Sequence, residues 1–411
     1  MNNAQGTAGD RARLLGPPEP IVGAGLEAWG LDPRVNFLNH GSFGARPREV
    51  MRHQGMLRDQ FEAAPIEVLD RKWRGQSLLA ARDEVASFLG ASGEDIGFVH
   101  NASTGVACVL RNLKWSKGDE IVTTDHAYNA VFQMMRYIDT YEHPSMRQIK
   151  LPFPVSGHDE IIERVMAGIS ASTRLLVIDH VTSPTGLRLP VEQICNRCRE
   201  LDVEVLVDGA HGPGMLDLEV PAIGCDYYTG NLHKWVCAPP GSAFLWVDRD
   251  KQRGIHPLVV SHHYEEGFAQ EFVWQGTGDM TPWLTAPIAI QWLGQFGWDR
   301  IRKHNRDMVL WAQSHLCRSW SVEPASPRDG SMLGSMAAIE LPGHADLWAS
   351  HWKDAAGLMD HLYQIHLLEV PVMTMWNKWW VRISCHLHNS PQQYEHLAAV
   401  ILEESTKIGA R

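Results

Sequence analysis

The middle of the chain swings repeatedly between short β-branched runs and segments whose apolar residues recur every three or four positions, a pattern that leaves few folds open. Strands joined by helical crossovers must lie parallel, and strands buried on both faces read as continuous apolar runs. The runs Asp95–His100, Glu120–Thr124, Gln148–Pro152, Arg174–His180, Glu204–Asp208, Asp226–Thr229 and Ser242–Val247 read as strands. Helices fit between most of them, at Ser77–Leu89, Tyr128–Tyr141, Asp159–Ile169 and Val191–Leu201. The expectation is an α/β fold whose large domain, residues 72–282, is a mostly parallel seven-stranded sheet flanked by helices.

Past Pro282 the pattern changes. A long helical stretch through Leu316, the segment SMLGSMAAIEL, a helix near His344–Ile365, the run WWVRISCHL and a helix at Gln392–Glu404 predict a smaller α+β domain over residues 283–411. Residues 1–71 read mostly as helix and loop that can pack on either domain.

Composition narrows the partners. A formal net charge of −11 disfavours the extended cationic surface that nucleic acid requires, while leaving room for a small anion in a local site. No apolar run nears the roughly 20 residues that span a bilayer, so no membrane partner is expected. The opening MNNAQGTAGDRARLLGPPEP lacks the apolar stretch of a secretory signal, and a cytoplasmic protein is expected. The 7 cysteines are an odd number scattered along the chain, unlike a disulfide framework. Cys195 and Cys198 form a CxxC inside a helical pattern with no second pair. In CHLHN, His386 and His388 share one strand face while Cys385 points to the other, which leaves too few ligands; no metal site is expected.

Two segments carry chemistry. The apolar run VLVD ends in Asp208, at the edge where α/β sheets keep their ligand sites. Further on, YYTGNLHKW brings Lys234 behind His233 at the close of another short strand. A lysine amine that captures an aldehyde, with a carboxylate that keeps a pyridine nitrogen protonated, is what pyridoxal phosphate requires. An ion pair at about 4 Å in an effective dielectric near 20 contributes on the order of 4 kcal/mol, enough to decide a pyridine's protonation. A phosphate then needs free N–H groups at a helix start, and the strand DIGFVH runs into Asn101-Ala102-Ser103-Thr104-Gly105 and a helical pattern. Ser103 and Thr104 are placed at its cap with hydroxyls to add.

The segment VDGAHGPGMLDLEVPAIGCDYYTGNLHKW resembles the class V aminotransferase family of fold-type I pyridoxal phosphate enzymes, nearest its isopenicillin N epimerase-like branch. FLNHGSFGARP, HNASTGV, DHAYNAV, HVTSPTG, WQGTGDMTPW and VRIS extend the likeness from about residue 36 to 390, in the family's order. The resemblance implies that Lys234 forms the Schiff base and Asp208 pairs with the pyridinium. It implies Tyr128 as the aromatic that stacks on the ring, with His126 where the class's desulfurases stack a histidine. His211 and Ser183 match positions near the ring hydroxyl, and Ser103, Thr104, Asn231, His233 and Thr277 match the phosphate site. Thr277 is expected from a neighbouring subunit, which implies a homodimer with shared sites. Arg382 matches the arginine that grips a substrate α-carboxylate, and Asn39, His40 and Ser42 an amino-terminal segment near the substrate.

A desulfurase needs a nucleophilic cysteine in the loop before the arginine strand, and LLEVPVMTMWNKWW has none. Epimerisation or racemisation at Cα of an amino-acid substrate is the leading expectation, with Lys234 as proton shuttle. Carbon–sulfur β-elimination, transamination and a catalytically idle scaffold stand as alternatives. Trp376, Trp379, His40 and His262 or His263 are expected to shape the pocket.

Overall fold

The structure, a computed structural model, describes residues 16–410; residues 1–15, most of the polar opening, lie outside the described residues. The large sheet has seven strands: β1 (Ile96–Val99), β2 (Glu120–Thr124), β3 (Ser145–Ile149), β4 (Thr173–Asp179), β5 (Glu204–Asp208), β6 (Tyr227–Asn231) and β7 (Ala243–Val247). Their order is β1-β7-β6-β5-β4-β2-β3. Every pairing is parallel except those of β7, which runs antiparallel to β1 and to β6. The mostly parallel seven-stranded sheet is therefore as expected.

Six longer helices precede or interleave these strands: α1 (Arg48–Ala63), α2 (Leu78–Phe88), α3 (Ala102–Asn112), α4 (Asn129–Tyr141), α5 (His158–Ala167) and α6 (Val191–Glu200). Burial on both faces explains the near-continuous apolar character of the central strands. Leu175, Leu176, Val177, Ile178, Leu206 and Val207 are all closed to solvent, each such side chain contributing about 1.5–3 kcal/mol relative to exposure. Strand β3 lies three residues earlier than the sequence suggests. It is the sheet edge, where solvent-facing Ser145, Arg147 and Gln148 carry the ladder and Arg147 pairs with Glu120 at 2.7 Å. The apolar Leu151 that favours the downstream reading is buried beyond the strand end.

The helical stretch after Pro282 is two helices, α7 (Thr281–Gly294) and α8 (Trp298–Trp320), separated at Gly297, whose φ of +82° breaks the helical path. Met280, Trp283, Ala286 and Ala289 pack in the core that holds α2 and the sheet. A second core forms around the antiparallel strands β8 (Met336–Glu340), β9 (Val372–Met375) and β10 (Lys378–Ser384), in the order β9-β10-β8. Helix α8, a helix at Ala355–His366 (α9) and the final helix Pro391–Gly409 (α10) cover that sheet. The helix expected near His344–Ile365 is divided, because the Asp354 carboxylate caps a new helix by accepting from the Gly357 N–H at 3.0 Å.

LLEVPVMTMWNKWW is not a loop. Leu368–Glu369 pair in parallel with Asn36–Phe37, and from Val372 the segment is the hairpin of β9 and β10, turned at Trp376 and Asn377, which have φ of +49° and +59°. No helix among the described residues is long and apolar enough to cross a membrane.

Candidate active site

Parallel β4, β5 and β6 end at one edge of the sheet, and the turns leaving the three strands meet there. A cavity of about 380 Å³ is lined by Asp179, Ser183, Asp208, His211, Asn231, His233 and Lys234, with Ser42, Ser103 and Tyr128 around its mouth. The sequence-derived Lys234, Asp208, Tyr128, His211, Ser103, Ser183, Asn231, His233 and Ser42 therefore come together.

Asp208 ends β5 and accepts from the Ala210 N–H at 3.0 Å. Burial pushes its carboxyl above the ordinary range, with that N–H and Lys234 opposing. The parallel register sets Asp179, at the end of β4, directly beside it. Burial and then the Asp208 charge push the Asp179 carboxyl well up. Two neighbouring buried carboxyls favour holding one proton between them, or a cation beside them. Asp179 is absent from the sequence-derived set, although VID closes β4 much as LVD closes β5.

Lys234 lies past the end of β6, in the turn region before β7. Burial, and then the Arg382 charge, lower its amine to about 7 against the opposing pull of Asp208 and Asp179. Its Nζ is 3.1 Å from His211 Nε2. Its backbone is held from behind, where His40 Nε2 meets the Lys234 carbonyl at 3.1 Å. Gly44 lets the amino-terminal segment approach that closely: at its φ of +73°, a Cβ would fall 2.3 Å from the His233 carbonyl oxygen.

His40 thus supports the lysine from the core and does not line the cavity. With Cys237 and His386 it gathers donor atoms within 4.8 Å of one another. The His40 and His386 rings stack at 4.4 Å and 28°, and their Nε2 atoms face the Lys234 and Trp235 carbonyls. A carbonyl accepts only from an N–H, so these two Nε2 atoms carry protons and offer no lone pair to a metal.

At the phosphate end, the cap of α3 is Asn101, not Ser103 or Thr104. Its Oδ1 accepts from the Thr104 N–H at 2.8 Å and the Thr104 hydroxyl at 3.1 Å, so that hydroxyl is committed away from the cavity. Ser103 remains at the cavity wall, and Asn231 Oδ1 pins the helix start through the Ala102 N–H at 2.9 Å. His233 faces the Ser242 carbonyl through Nδ1 at 3.3 Å, leaving Nε2 for the cavity. Burial lowers that imidazole to about 4. Thr277 lies apart, in a separate cavity of about 300 Å³ with Arg58, Trp73 and Asp279. Within one chain it does not reach the site.

Tyr128, which begins α4, presents a half-exposed ring at the mouth. His126 is buried behind it, hydrogen-bonded to the Thr185 hydroxyl at 2.8 Å and packed on Trp376 at 4.9 Å. Trp376 therefore backs His126 instead of walling the cavity, and Trp379 is buried in the second core. His262 rests on Trp274 and His263 pairs with Glu266, neither at the cavity.

Arg382, on β10, is buried without a carboxylate partner among the described residues. It donates to the Ser183 carbonyl, to Ser42 Oγ at 3.0 Å and to Asn39 Oδ1 at 3.4 Å, while its Nε has no acceptor. Arg382 does not itself line the cavity but bonds Ser42 and Ser183, which do, and a buried guanidinium held by neutral acceptors there is a seat for an anion.

The donor set fits pyridoxal phosphate. Paired carboxyls suit a protonated ring nitrogen, an amine near neutrality suits an aldehyde, and the start of α3 with Ser103, Asn231 and His233 suits a phosphate.

The sequence profile of the class V aminotransferases matches residues 46–393. Isopenicillin N epimerase of Amycolatopsis lactamdurans is 32% identical over 393 residues, covering 91% of this chain and 96% of that relative. A probable chloroplastic L-cysteine desulfhydrase of Arabidopsis thaliana is 31% identical over 398 residues, 90% of this chain and 83% of the relative. Among solved structures, the cystine C–S lyase C-DES in complex with its product cysteine persulfide superposes with a TM-score of 0.75 at 20% identity, over 90% of this chain and 97% of that one. A cysteine desulfurase from Thermococcus onnurineus NA1 gives 0.78 at 17% identity, over 95% and 100%.

Proposed function

This chain belongs to the class V aminotransferase family of pyridoxal-phosphate-dependent enzymes, and from that premise we propose that it removes the α-proton of an amino acid and returns one to the opposite face, an epimerisation or racemisation. The observation that carries this reading is Lys234: an amine at about 7, in a cavity beside an anion seat, can take and release a proton at neutral pH. When bound, pyridoxal phosphate supplies an aldehyde for amine capture and a protonated ring that draws electrons from Cα.

Asp208, with Asp179 beside it, keeps the positive end of that ring in place. The first amides of α3, Ser103 and Asn231 hold the phosphate, and His233 must gain a proton on Nε2 to join them, which a nearby dianion favours. Tyr128 covers the ring face, and His211 and Ser183 flank its hydroxyl side. Arg382 grips the substrate carboxylate with Asn39 and Ser42 behind it. Thr277 completes the phosphate site of a second copy in a homodimer, and the chain works in the cytoplasm.

Epimerisation is supported by the likeness to isopenicillin N epimerase across 96% of that relative. β-Elimination from a cysteine derivative is the second reading, supported by the desulfhydrase relatives at 31% identity. Persulfide formation on the protein is disfavoured because all seven cysteines are buried, and burial raises the thiols of Cys108, Cys195, Cys198, Cys225, Cys237, Cys317 and Cys385. Treatment with iodoacetamide is accordingly expected to leave turnover unchanged, whereas a catalytic thiol would be lost to the reagent.

Incubation with a panel of amino acids in heavy water tests the main reading. The expected result is deuterium at Cα with loss of optical purity. Pyruvate and ammonia from cysteine derivatives, with deuterium in the pyruvate methyl group, would transfer the reaction to the lyase reading, and neither α-deuterium nor pyruvate from any substrate would overturn both.

A further inference from the structure

Trp235 is buried directly after the lysine, and its indole N–H meets His211 Nδ1 at 3.2 Å. The indole cannot turn away easily: its ring lies 4.9 Å from that of His40 and stacks on His386 at 6.1 Å and 12°. An indole nitrogen only donates, so Nδ1 of His211 must be the unprotonated acceptor. A neutral imidazole then carries its single proton on Nε2, the atom 3.1 Å from Lys234 Nζ. An ammonium has three donors and no acceptor, and would face that N–H donor against donor. The contact is a hydrogen bond only when the amine is neutral and accepts.

We propose that Trp235 is a positioning residue that fixes His211 in its Nε2–H tautomer, so that His211 donates to Lys234 and keeps the lysine a free base ready for the aldehyde. This rests on the reading of Lys234 as the amine that captures pyridoxal phosphate. The other groups facing the amine are Asp208 and Asp179, which favour its charge, and Arg382, which opposes it; His233 adjoins His211. Trp235 acts through none of these. Burial holds the His211 imidazole well below its usual value, consistent with a single proton to be placed.

The test has an arm that needs no cofactor. In the apo-chain labelled with ¹⁵N-histidine, with the His211 signals identified by their loss in His211→Gln, Nδ1 is expected to resonate as a bare nitrogen and Nε2 as a protonated one near neutral pH. Protonation at Nδ1 would overturn the proposal.

The second arm follows uptake of pyridoxal phosphate by the apo-chain against pH. In Trp235→Phe the tautomer is free, a charged lysine finds an acceptor, and the midpoint is expected to rise by about one unit, about fivefold slower uptake at pH 7 with convergence above pH 9. Glutamine has no tautomers to choose, so Trp235→Phe in a His211→Gln background is expected to move nothing further. The same shift in both backgrounds, or none in either, would overturn the tautomer lock and leave Trp235 a packing residue. Uptake with the usual yellow absorbance in Lys234→Ala would instead remove the underlying reading of the lysine, while the nitrogen signals still decide the tautomer.

Discussion

Replacing Lys234 by alanine is expected to lower turnover at least about 10³-fold and to leave a folded chain that binds pyridoxal phosphate without its yellow absorbance. Loss of a positioned acid–base group alone costs roughly 10²–10⁴-fold, and here the same side chain is read as the covalent anchor. The loss is not one of folding. Burial holds the amine at about 7 in the native chain, against an ordinary value of 10.5. The unfolded chain therefore binds more protons between these two values, and native stability rises with pH across that window. Lys234→Met in the apo-chain removes this burden. It is expected to raise the melting temperature most below pH 7, with the gain shrinking as pH climbs toward 10.5. A Met variant less stable than the parent at pH 6, with the benefit growing at high pH, would mean that the native chain holds the ammonium in a favourable ion pair.

How much of the site is legible in sequence depends on the range of the forces involved. Asp208 is legible because a buried apolar run ends abruptly in a carboxylate, and strand ends are where such folds place ligands. Asp179 closes β4 in the same way but stays hidden, because its meaning comes from the register that aligns it with Asp208 across the sheet. Local pattern points to a helix start near Ser103, yet the stronger competitor, Asn101, takes the cap and draws in the Thr104 hydroxyl. His40 shows the limit of motif position: its neighbours Asn39 and Ser42 bond Arg382, while its own ring turns inward to the Lys234 carbonyl and His388. Trp376 and Trp379 suggest a pocket wall only as long as their segment reads as an aromatic loop. The hairpin of β9 and β10 instead sends Trp379 into the second core and uses Trp376 in the turn. Nothing local signals that hairpin, since its turn residues, Trp and Asn, are not the usual pair for left-handed backbone.

Arg382→Met is expected to separate substrate recognition from structural support. The guanidinium is buried, pushed down to about 10 by that burial, and faces three neutral acceptors with Nε unsatisfied. A buried charge without a counter-charge costs stability, and an apolar side chain of similar volume at such a site is often neutral or better. The melting temperature of Arg382→Met is therefore expected to stay within about 4 °C of the parent, the shift that roughly 1 kcal/mol produces in a chain with domains of this size. Activity behaves oppositely. Hydrogen bonds to a charged group contribute about 1.5–3 kcal/mol each, so losing a two-pronged grip on a carboxylate is expected to cut kcat/KM by roughly 10²–10⁴-fold. Arg382→Lys recovers the charge but not the planar fork, and is expected to recover only a minor part of the loss. An amino-acid amide, lacking the carboxylate, should be turned over equally poorly by parent and variant. A large fall in melting temperature with kcat/KM preserved would make Arg382 a structural tie between β10 and the amino-terminal segment.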